Sequence, residues 1–501
     1  MFRLLGVGAV AAAVVKLLLH LYAGHNYGYF VDELYYLACA RHLAWGYVDQ
    51  PPLIAFLARI SVALFGESLQ AIRFLPALAG TGTVLLAGFI ARELGGGRFA
   101  AGLAALCTLA APGFLSIDSF LSMNAFEPLF WMGCALVVIR VIKTGDQKLW
   151  IWFGLLAGLG LENKHSMLIF GFGLAAGLLL TPERRLFRKP GIWLAAILAV
   201  ALFAPNLIWN IANGFPFLEL QANIRASRRN VDLGFVKFWG EVLLVMLPLS
   251  APIWIAGLWQ LFFTPQGKPF RALGWAWLIT AALIMTLNPR IYYLFPAFPL
   301  LFAAGSVWWE SRLSAFWRVA AITSIVAMAV VAAPLAVPVL PVETYIRYAA
   351  FLGVEQPRIE GRRLGPLPQL YADQFGWEEM TAVVAKAYQA VPADLKSRTA
   401  IFAQNYGQAG AIDLFGPKFG LPPALSGHQN YFLWGPRDST WESMIILDDR
   451  EEVLRKLFDV VEKVGRVEHP YSMPDQHFDV FYCSGPKFAL KDLWPRLKKW
   501  R

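Results

Sequence analysis

The chain has little charge for its length. Of 501 residues, 16% are charged and 57% are hydrophobic, and the mean hydropathy is +0.50. A water-soluble protein of this size cannot bury so large an apolar majority, so the composition excludes a soluble multidomain protein and indicates an integral membrane protein. The net charge of +10 comes mainly from short loops between apolar stretches, which indicates membrane orientation and predicts no nucleic-acid partner.

Cysteine is scarce, and nucleotide-binding motifs are missing. Cys39, Cys107, Cys134 and Cys483 show no CxxC or Cys/His spacing, so we expect no disulfide framework. The sequence contains no GxxxxGK[ST] and no GxGxxG after a strand, which disfavours a nucleotide-sugar donor and predicts no nucleotide cofactor. No internal repeat is evident, which disfavours an inverted-repeat transporter.

Long apolar stretches recur along the chain. A helix needs about 20 residues to cross a ~30 Å hydrocarbon core. The first stretch is predicted to be a retained helix, because no convincing small-residue cleavage site precedes His25. We predict a polytopic α-helical membrane protein with about eleven transmembrane helices, near residues 4–22, 70–91, 99–116, 125–142, 149–162, 165–181, 191–211, 235–263, 272–288, 291–309 and 316–338.

The basic residues between these stretches fall mainly on one side of the membrane, which the positive-inside rule makes cytoplasmic. The loop from His25 to about Leu69 and everything after Val339 then lie outside. Arg225, Arg228 and Arg229 depart from this pattern, because they fall on the outer side. They form either a solvated loop or a site for an anionic ligand.

Asp32 and Glu33 stand side by side in the first outer loop. Folding alone gives no reason to place two carboxylates beside a bilayer, so they indicate chemistry at the membrane surface. Residues 34–43 and 53–64 carry apolar side chains at helical spacing, which predicts two helices lying in the interface. Between them, residues 46–52 are typical of a turn, which directs Asp49 back toward the same region.

The composition changes after Pro341, and it divides the chain into a transmembrane domain, residues 1–344, and a soluble α/β domain, residues 345–501. Strands are predicted at 399–403, 443–447 and 478–483, and helices at 376–390 and 450–464. The final segment, 487–501, mixes aromatic and basic residues. It is suited to docking on the helical domain, which we favour, or to lying on a membrane surface.

Two loops of the outer domain, 405–411 and 426–435, are rich in glycine, amides and aromatic residues. Such loops can stack on sugars and hydrogen-bond their hydroxyls. They are also typical of ordinary turns between a strand and a helix.

The run from Tyr29 to Tyr36, followed by Asp49-Gln50-Pro51-Pro52, resembles the opening of glycosyltransferase family 39. That family contains the dolichyl-phosphate-mannose protein mannosyltransferases and the bacterial aminoarabinose transferases that act on lipid A. The similarity continues through Gly158-Leu159-Gly160 to Lys164, and through residues 290–299. It implies a membrane enzyme of the GT-C architecture that moves a sugar from a polyprenyl-phosphate carrier to a lipid, glycan or protein acceptor on the outer face.

A base is needed for this reaction, because the acceptor hydroxyl or amine must lose a proton when it attacks the anomeric carbon. Asp32 is the candidate base. Glu33 is a second catalytic candidate that orients Asp32 or binds a cation, and the alternative is that it caps the following helix.

The leaving lipid phosphate must be held and neutralised by cations at the outer boundary. Lys164, Arg290 and Arg225 are the candidates, and Tyr292 and Tyr293 are suited to hydrogen-bonding or packing on the carrier. The alternative for the basic side chains is simple snorkelling toward the interface.

Two positions depart from the family pattern. Gln50 stands where relatives often have a lysine that meets phosphate, and Asn124 stands where they commonly have a carboxylate. Asp118 and Glu127 are the alternatives to Asn124, and Asp118 is the candidate for contact with the acceptor or a metal. Asp49 matches an acidic residue near a divalent metal in relatives, but hard-cation sites usually recruit several oxygen ligands.

Two other functional classes remain open from the sequence. A transporter or flippase of lipid-linked saccharides would use buried charges to line a pathway, and a silent scaffold would leave the outer domain as the working part. The short loops, few cysteines and family resemblance favour a bacterial inner membrane, with the C-terminal domain on the periplasmic side.

Overall fold

The protein is mostly helical and carries one small sheet near its C-terminus. A computed structural model describes residues 5–227, 234–287, 290–354, 365–437, 441–448 and 450–500. Arg228 and Arg229, two of the three arginines in the exceptional basic loop, lie outside the described residues.

All eleven predicted apolar stretches contain helices. In chain order up to residue 336 the helices are α1 Val7–Ala23, α2 Val31–Arg41, α3 Leu53–Phe65, α4 Leu69–Glu93, α5 Arg98–Ala110, α6 Pro112–Ile117, α7 Met123–Thr144, α8 Leu149–Asn163, α9 Met167–Leu179, α10 Pro190–Ala212, α11 Pro216–Ala226, α12 Gly234–Val245, α13 Ala251–Phe263, α14 Arg271–Thr286, α15 Phe298–Glu310 and α16 Ala315–Ala336. A 3₁₀ turn, Ile291–Ala297, leads into α15.

Among the described residues, six helices are long and apolar enough to cross a membrane, and the number rises to eight if each of two bent pairs is one span. Four further apolar helices, α1, α3, α5 and α8, are shorter. The protein is therefore a multi-pass membrane protein, and the count of eleven spans stays a prediction.

The stretch predicted as one span near 235–263 is two helices. They meet at an angle of 94°. Pro248 supplies no backbone N–H at this break, and Leu247 before it has a φ of 68°. A missing N–H donor and a positive φ each interrupt an α-helix, so the chain turns at these two residues.

The first outer loop forms the two predicted helices, α2 and α3. Helix α3 exposes Phe56 and Leu64, but every side chain of α2 from Glu33 to Ala40 is buried. The position of the two helices in the membrane interface stays a prediction, but α2 is covered by protein from Glu33 to Ala40 instead of exposing an apolar face. The alternation of apolar and polar residues could not reveal this, because the covering surface comes from the far end of the chain.

The described residues of the C-terminal region form five strands and several short helices. Its helices are α17 Val342–Phe351, α18 Gln369–Ala372, α19 Trp377–Gln389, α20 Ala393–Lys396, α21 Tyr406–Phe415, α22 Gln429–Leu433, α23 Glu451–Leu457 and α24 Leu490–Leu493. Its strands are β1 Thr399–Ala403, β2 Leu425–Ser426, β3 Ser443–Leu447, β4 Phe458–Val467 and β5 Phe478–Pro486, in the sheet order β2-β1-β3-β5-β4. Strands β1, β2 and β3 are parallel, and β5 is antiparallel to β3 and β4.

The three predicted strands and the predicted helix at 376–390 are confirmed. The helix predicted at 450–464 is wrong beyond Leu457, where the chain enters β4. The valines in this segment prefer a strand because their β-branched side chains pack well on a pleated surface, and β5 supplies the pairing partner.

The sheet and the first outer loop share one hydrophobic core. Leu34 of α2 and Ile54 of α3 pack in the same cluster as Trp377, Ile401 and Tyr431. The boundary at residue 345 stays a prediction, but the described parts on either side of it are in direct contact.

The C-terminal segment docks on the helical domain. The Asn223 side chain of α11 donates a hydrogen bond of 2.7 Å to the Trp500 carbonyl, and Lys498 lies 2.6 Å from Glu219. The favoured docking alternative is confirmed for these residues.

Candidate active site

Asp32 lies in the first turn of α2 and stays partly exposed, while the residues from Glu33 to Ala40 of the same helix are buried. The Tyr406 hydroxyl donates a hydrogen bond of 2.7 Å to Asp32 Oδ1. A carboxylate at a helix N-terminus also gains from the positive end of the helix dipole. Asp32 therefore combines access to solvent with a hydrogen-bond donor and a position at the positive end of a helix dipole.

Asp49 lies close to Asp32, as the predicted turn requires. The Tyr35 hydroxyl is 3.1 Å from Asp49 Oδ1 and 3.2 Å from Asn430 Oδ1. Asn430 Oδ1 also accepts a hydrogen bond of 2.7 Å from the Val48 N–H, so the C-terminal domain holds this turn in place. Burial, followed by the negative charge of Asp32, raises the pKa of Asp49 to about 7.

The described ranges contain no group of three or more His, Cys, Asp and Glu side chains placed to hold a metal ion. Asp49 has Asp32 as its carboxylate neighbour, and hard divalent cations recruit six or more oxygen ligands in proteins. These two carboxylates alone do not make such a ligand set, and the metal at Asp49 stays a prediction.

Glu33 has a different environment from its neighbour. Its carboxylate is fully buried and accepts four hydrogen bonds, two from Arg73, one from the Phe30 N–H and one from the Leu121 N–H. Adjacent residues on a helix point in different directions, so Glu33 faces the interior while Asp32 stays partly exposed. The capping alternative describes this residue, because both oxygens are occupied by structural partners and neither is placed to take a proton from substrate.

Lys164 directly follows α8 and lies in a compact polar cluster. Its Nζ donates hydrogen bonds of 2.8 Å to Asn124 Oδ1 and 2.8 Å to Glu127 Oε2. The same ammonium lies 4.1 Å from the ring centroid of Tyr293 and 5.3 Å from that of Tyr292. Aromatic faces attract cations, so both rings help to hold the charge.

Arg290 precedes this tyrosine pair and interacts electrostatically with Tyr293. The structure thus brings together four of the five residues predicted to meet the carrier phosphate: Lys164, Arg290, Tyr292 and Tyr293. The fifth, Arg225, is exposed in the last turn of α11, a different element.

Asp118 forms a buried ion pair that the sequence did not predict. Its Oδ2 is 2.7 Å from Lys16 Nζ, and the two side chains are 2% and 0% exposed. Lys16 Nζ also donates a hydrogen bond of 2.9 Å to the Phe114 carbonyl. The predicted contact of Asp118 with an acceptor or metal finds no support here, because its carboxylate serves as the counter-ion of a lysine in the first apolar helix.

A polar chain connects the carboxylate loop to the Lys164 cluster. The Asn206 side chain of α10 donates a hydrogen bond of 2.8 Å to the Trp45 carbonyl, in the loop that carries Asp49. Asn206 Oδ1 lies 3.4 Å from the Nε2 of His165, the residue next to Lys164. Asn206 therefore connects the loop that carries Asp49 to the segment that carries Lys164.

Several residues of this region were not predicted from the sequence. Tyr406 and Asn430 lie in the two loops flagged for possible sugar contact, but nothing in the sequence shows that they reach α2. Arg73 and Lys16 lie inside apolar helices. An unexplained charge in an apolar helix was the available signal for a buried partner.

Comparisons with known proteins agree with this fold. A family model described as dolichyl-phosphate-mannose-protein mannosyltransferase matches residues 49–209. The chain is 28% identical over 184 residues to the lipid A galacturonosyltransferase RgtD of Rhizobium johnstonii, and the match spans 36% of this chain and 38% of that protein.

Two solved structures share the fold at low identity. ArnT from Cupriavidus metallidurans, bound to undecaprenyl phosphate, superposes with a TM-score of 0.59 at 15% identity, over 95% of this chain and 97% of that chain. The oligosaccharyltransferase AglB from Archaeoglobus fulgidus, in complex with an inhibitory peptide and a dolichol-phosphate, gives a TM-score of 0.51 at 13% identity, over 89% of this chain and 70% of that chain. The resemblance indicated by the sequence motifs is confirmed.

Proposed function

We propose that this chain, which resembles the GT-C membrane glycosyltransferases in its motifs and fold, transfers a sugar from a polyprenyl-phosphate carrier to a hydroxyl or amine acceptor. One observation carries the proposal: a partly exposed carboxylate, Asp32, and a largely buried cation, Lys164, lie on segments that are connected through the Asn206 side chain. Transfer of a sugar from a phosphate needs both, because a proton leaves the acceptor while negative charge collects on the phosphate.

Asp32 is the general base in this proposal. The acceptor oxygen or nitrogen attacks the anomeric carbon, and its proton passes to an oxygen of Asp32. The bond between the anomeric carbon and the phosphate oxygen breaks, and the carrier leaves as polyprenyl phosphate. A single displacement of this kind inverts the anomeric carbon, which the family resemblance also implies.

Lys164 and Arg290 stabilise the departing phosphate. Glu127 balances the charge of Lys164 in the free protein, at 2.8 Å. Arg290 adds a second cation next to Tyr293. The phosphate that links the sugar to the polyprenyl carrier presents oxygens that accept hydrogen bonds from both cations. The two tyrosine rings pack beside this phosphate.

The reaction takes place on the outer face of a bacterial inner membrane in this proposal. The positive-inside pattern supports this side for the Asp32 loop and the C-terminal domain. The relatives named above support a lipid, glycan or protein as acceptor, since they include a lipid A transferase and an oligosaccharyltransferase. The transporter alternative is not favoured, because these relatives are transferases.

Release of free polyprenyl phosphate tests the proposal. Purified protein in detergent is incubated with a panel of radiolabelled polyprenyl-phosphate sugars and a membrane extract as acceptor. We expect one donor to release carrier only when the extract is present, and we expect Asp32→Asn to abolish that release. Asp394→Asn, a change at an exposed carboxylate of the C-terminal domain, is the matched control and should behave as wild type. Equal release by wild type and Asp32→Asn would refute the role of Asp32.

A further inference from the structure

The C-terminal domain contributes a side chain directly to the candidate base. The hydrogen bond from Tyr406 to Asp32 joins residues 374 positions apart. Resting on the proposed function, we propose that Tyr406 is a positioning residue for the transfer reaction: its hydroxyl holds the Asp32 carboxylate in the orientation that accepts the acceptor's proton. The outer domain then completes the active site of the membrane domain.

Close packing of two helices brings the tyrosine to this place. Helix α21 begins at Tyr406 and lies against α2, whose first turn carries Asp32. A Cβ at Gly407 would lie 2.4 Å from Val31 Cγ2, and a Cβ at Gly410 would lie 2.8 Å from the Leu34 carbonyl oxygen. The approach of the two helices therefore requires glycine at both positions.

The ring of Tyr406 is held on both faces. The Tyr35 ring stacks on it at a centroid distance of 4.6 Å, and the His428 ring stacks at 4.8 Å with an angle of 4° between the planes. The Tyr406 backbone N–H also donates a hydrogen bond of 3.1 Å to His428 Nδ1. A ring fixed in this way leaves its hydroxyl little freedom, so the hydrogen bond to Asp32 is formed before substrate arrives.

Stacking also connects the two carboxylates. Tyr35, which stacks on Tyr406, carries the hydroxyl that contacts Asp49. One aromatic stack of Tyr35, Tyr406 and His428 therefore presents a hydroxyl to each carboxylate. Removing the hydroxyl of Tyr406 takes away this hydrogen bond to Asp32 and leaves the stack and the Asp49 contact in place.

The test is Tyr406→Phe, which keeps the ring and removes the hydrogen bond. Tyr471→Phe is the matched control. The Tyr471 hydroxyl also donates a hydrogen bond of 2.7 Å to a carboxylate, that of Glu343, but this pair lies on the exposed surface. Steady-state carrier release is measured with the donor identified above, together with the thermal unfolding midpoint of each variant.

We expect Tyr406→Phe to lower kcat about tenfold, with the KM for donor within about twofold of wild type, because the base is misplaced while donor binding is kept. Tyr471→Phe should match wild type in both constants. A Tyr406→Phe protein with wild-type kcat, or one that changes KM alone, would overturn the inference while leaving the proposed function intact. A wild-type protein that releases carrier from no donor would refute the proposed function itself.

Discussion

Lys164 Nζ lies 2.8 Å from Glu127 Oε2, and both side chains are largely buried. The Ser166 hydroxyl donates a hydrogen bond to the other oxygen of Glu127. A lysine that only snorkels toward water would not be held between a carboxylate and two aromatic rings. Lys164 is therefore held in place by the fold, and its ammonium group is the one proposed to meet the carrier phosphate.

Neutral substitutions on the two sides of this pair should have different effects. Lys164→Gln removes the cation that meets the phosphate, and we expect the KM for donor to rise by about tenfold or more, since a charge-assisted contact is lost. Glu127→Gln keeps the cation and should leave that KM within about threefold. Carrier release measured against donor concentration gives both values.

A purely structural role for Lys164 gives another pattern. If the lysine served only as partner to Glu127, both variants would lower the unfolding midpoint equally and neither would change the KM for donor. The double variant Lys164→Gln/Glu127→Gln would then recover the unfolding midpoint, again with no change in the KM for donor. In the proposed account the double variant recovers stability and keeps the high KM.

The buried pair of Lys16 and Asp118 is expected to stabilise the fold without taking part in the reaction. Asp118→Asn leaves the lysine uncompensated, which should cost about 3–5 kcal/mol and lower the unfolding midpoint clearly. The double variant Lys16→Met/Asp118→Leu replaces the pair by apolar groups and should recover much of the loss. If Asp118→Asn instead kept the wild-type unfolding midpoint and abolished transfer, Asp118 would have a catalytic role.

Asp32 and Glu33 should respond in opposite ways to the same chemical change. Glu33→Gln places an amide against Arg73 and two backbone N–H groups, so we expect about 3 kcal/mol of destabilisation. Asp32→Asn changes a partly exposed group and should leave the unfolding midpoint near wild type while it abolishes transfer. Thermal unfolding of the two proteins in the same detergent makes this comparison, and a loss of stability confined to Asp32→Asn would contradict it.

The raised pKa of Asp49 predicts a pH dependence of stability. Burial, followed by the charge of Asp32, raises this pKa from 3.8 to about 7, so the folded state holds a proton that the unfolded state releases between these values. The stabilisation is fully present below pH 3.8 and is lost as the pH rises through 7. Asp49→Asn removes the dependence, so the difference in midpoint between variant and wild type should grow from pH 5 to about pH 8 in favour of the variant. A difference independent of pH would contradict the raised pKa.

Much of the membrane part could be predicted from the sequence because the bilayer imposes a simple rule. Every predicted apolar stretch contains a helix, since backbone groups in hydrocarbon must be paired within the segment. The break at Pro248 was harder to predict, because proline is tolerated inside other helices of this chain, such as Pro76 in α4 and Pro205 in α10. What decides the bend is the left-handed conformation of Leu247, which no local pattern signals.

The candidate site was predictable in its residues and not in its partners. Asp32, Asp49, Lys164, Tyr292 and Tyr293 were found from motif and position. The difference between Asp32 and Glu33 depends on Arg73, which comes from another helix, and the role of Tyr406 depends on how the C-terminal domain docks. Such long-range pairings are set by the packed fold, and one sequence gives no record of them.

In the proposed reaction, Asp32 drives cleavage of the bond between the sugar and the carrier phosphate. Proteoliposomes that contain purified protein, radiolabelled donor and acceptor allow carrier release and movement of donor across the bilayer to be measured in one sample. We expect acceptor-dependent release by wild type, a loss of about a thousandfold in Asp32→Asn, and the same donor distribution in both. Redistribution of intact donor across the bilayer, with no free polyprenyl phosphate formed by either protein, would contradict it.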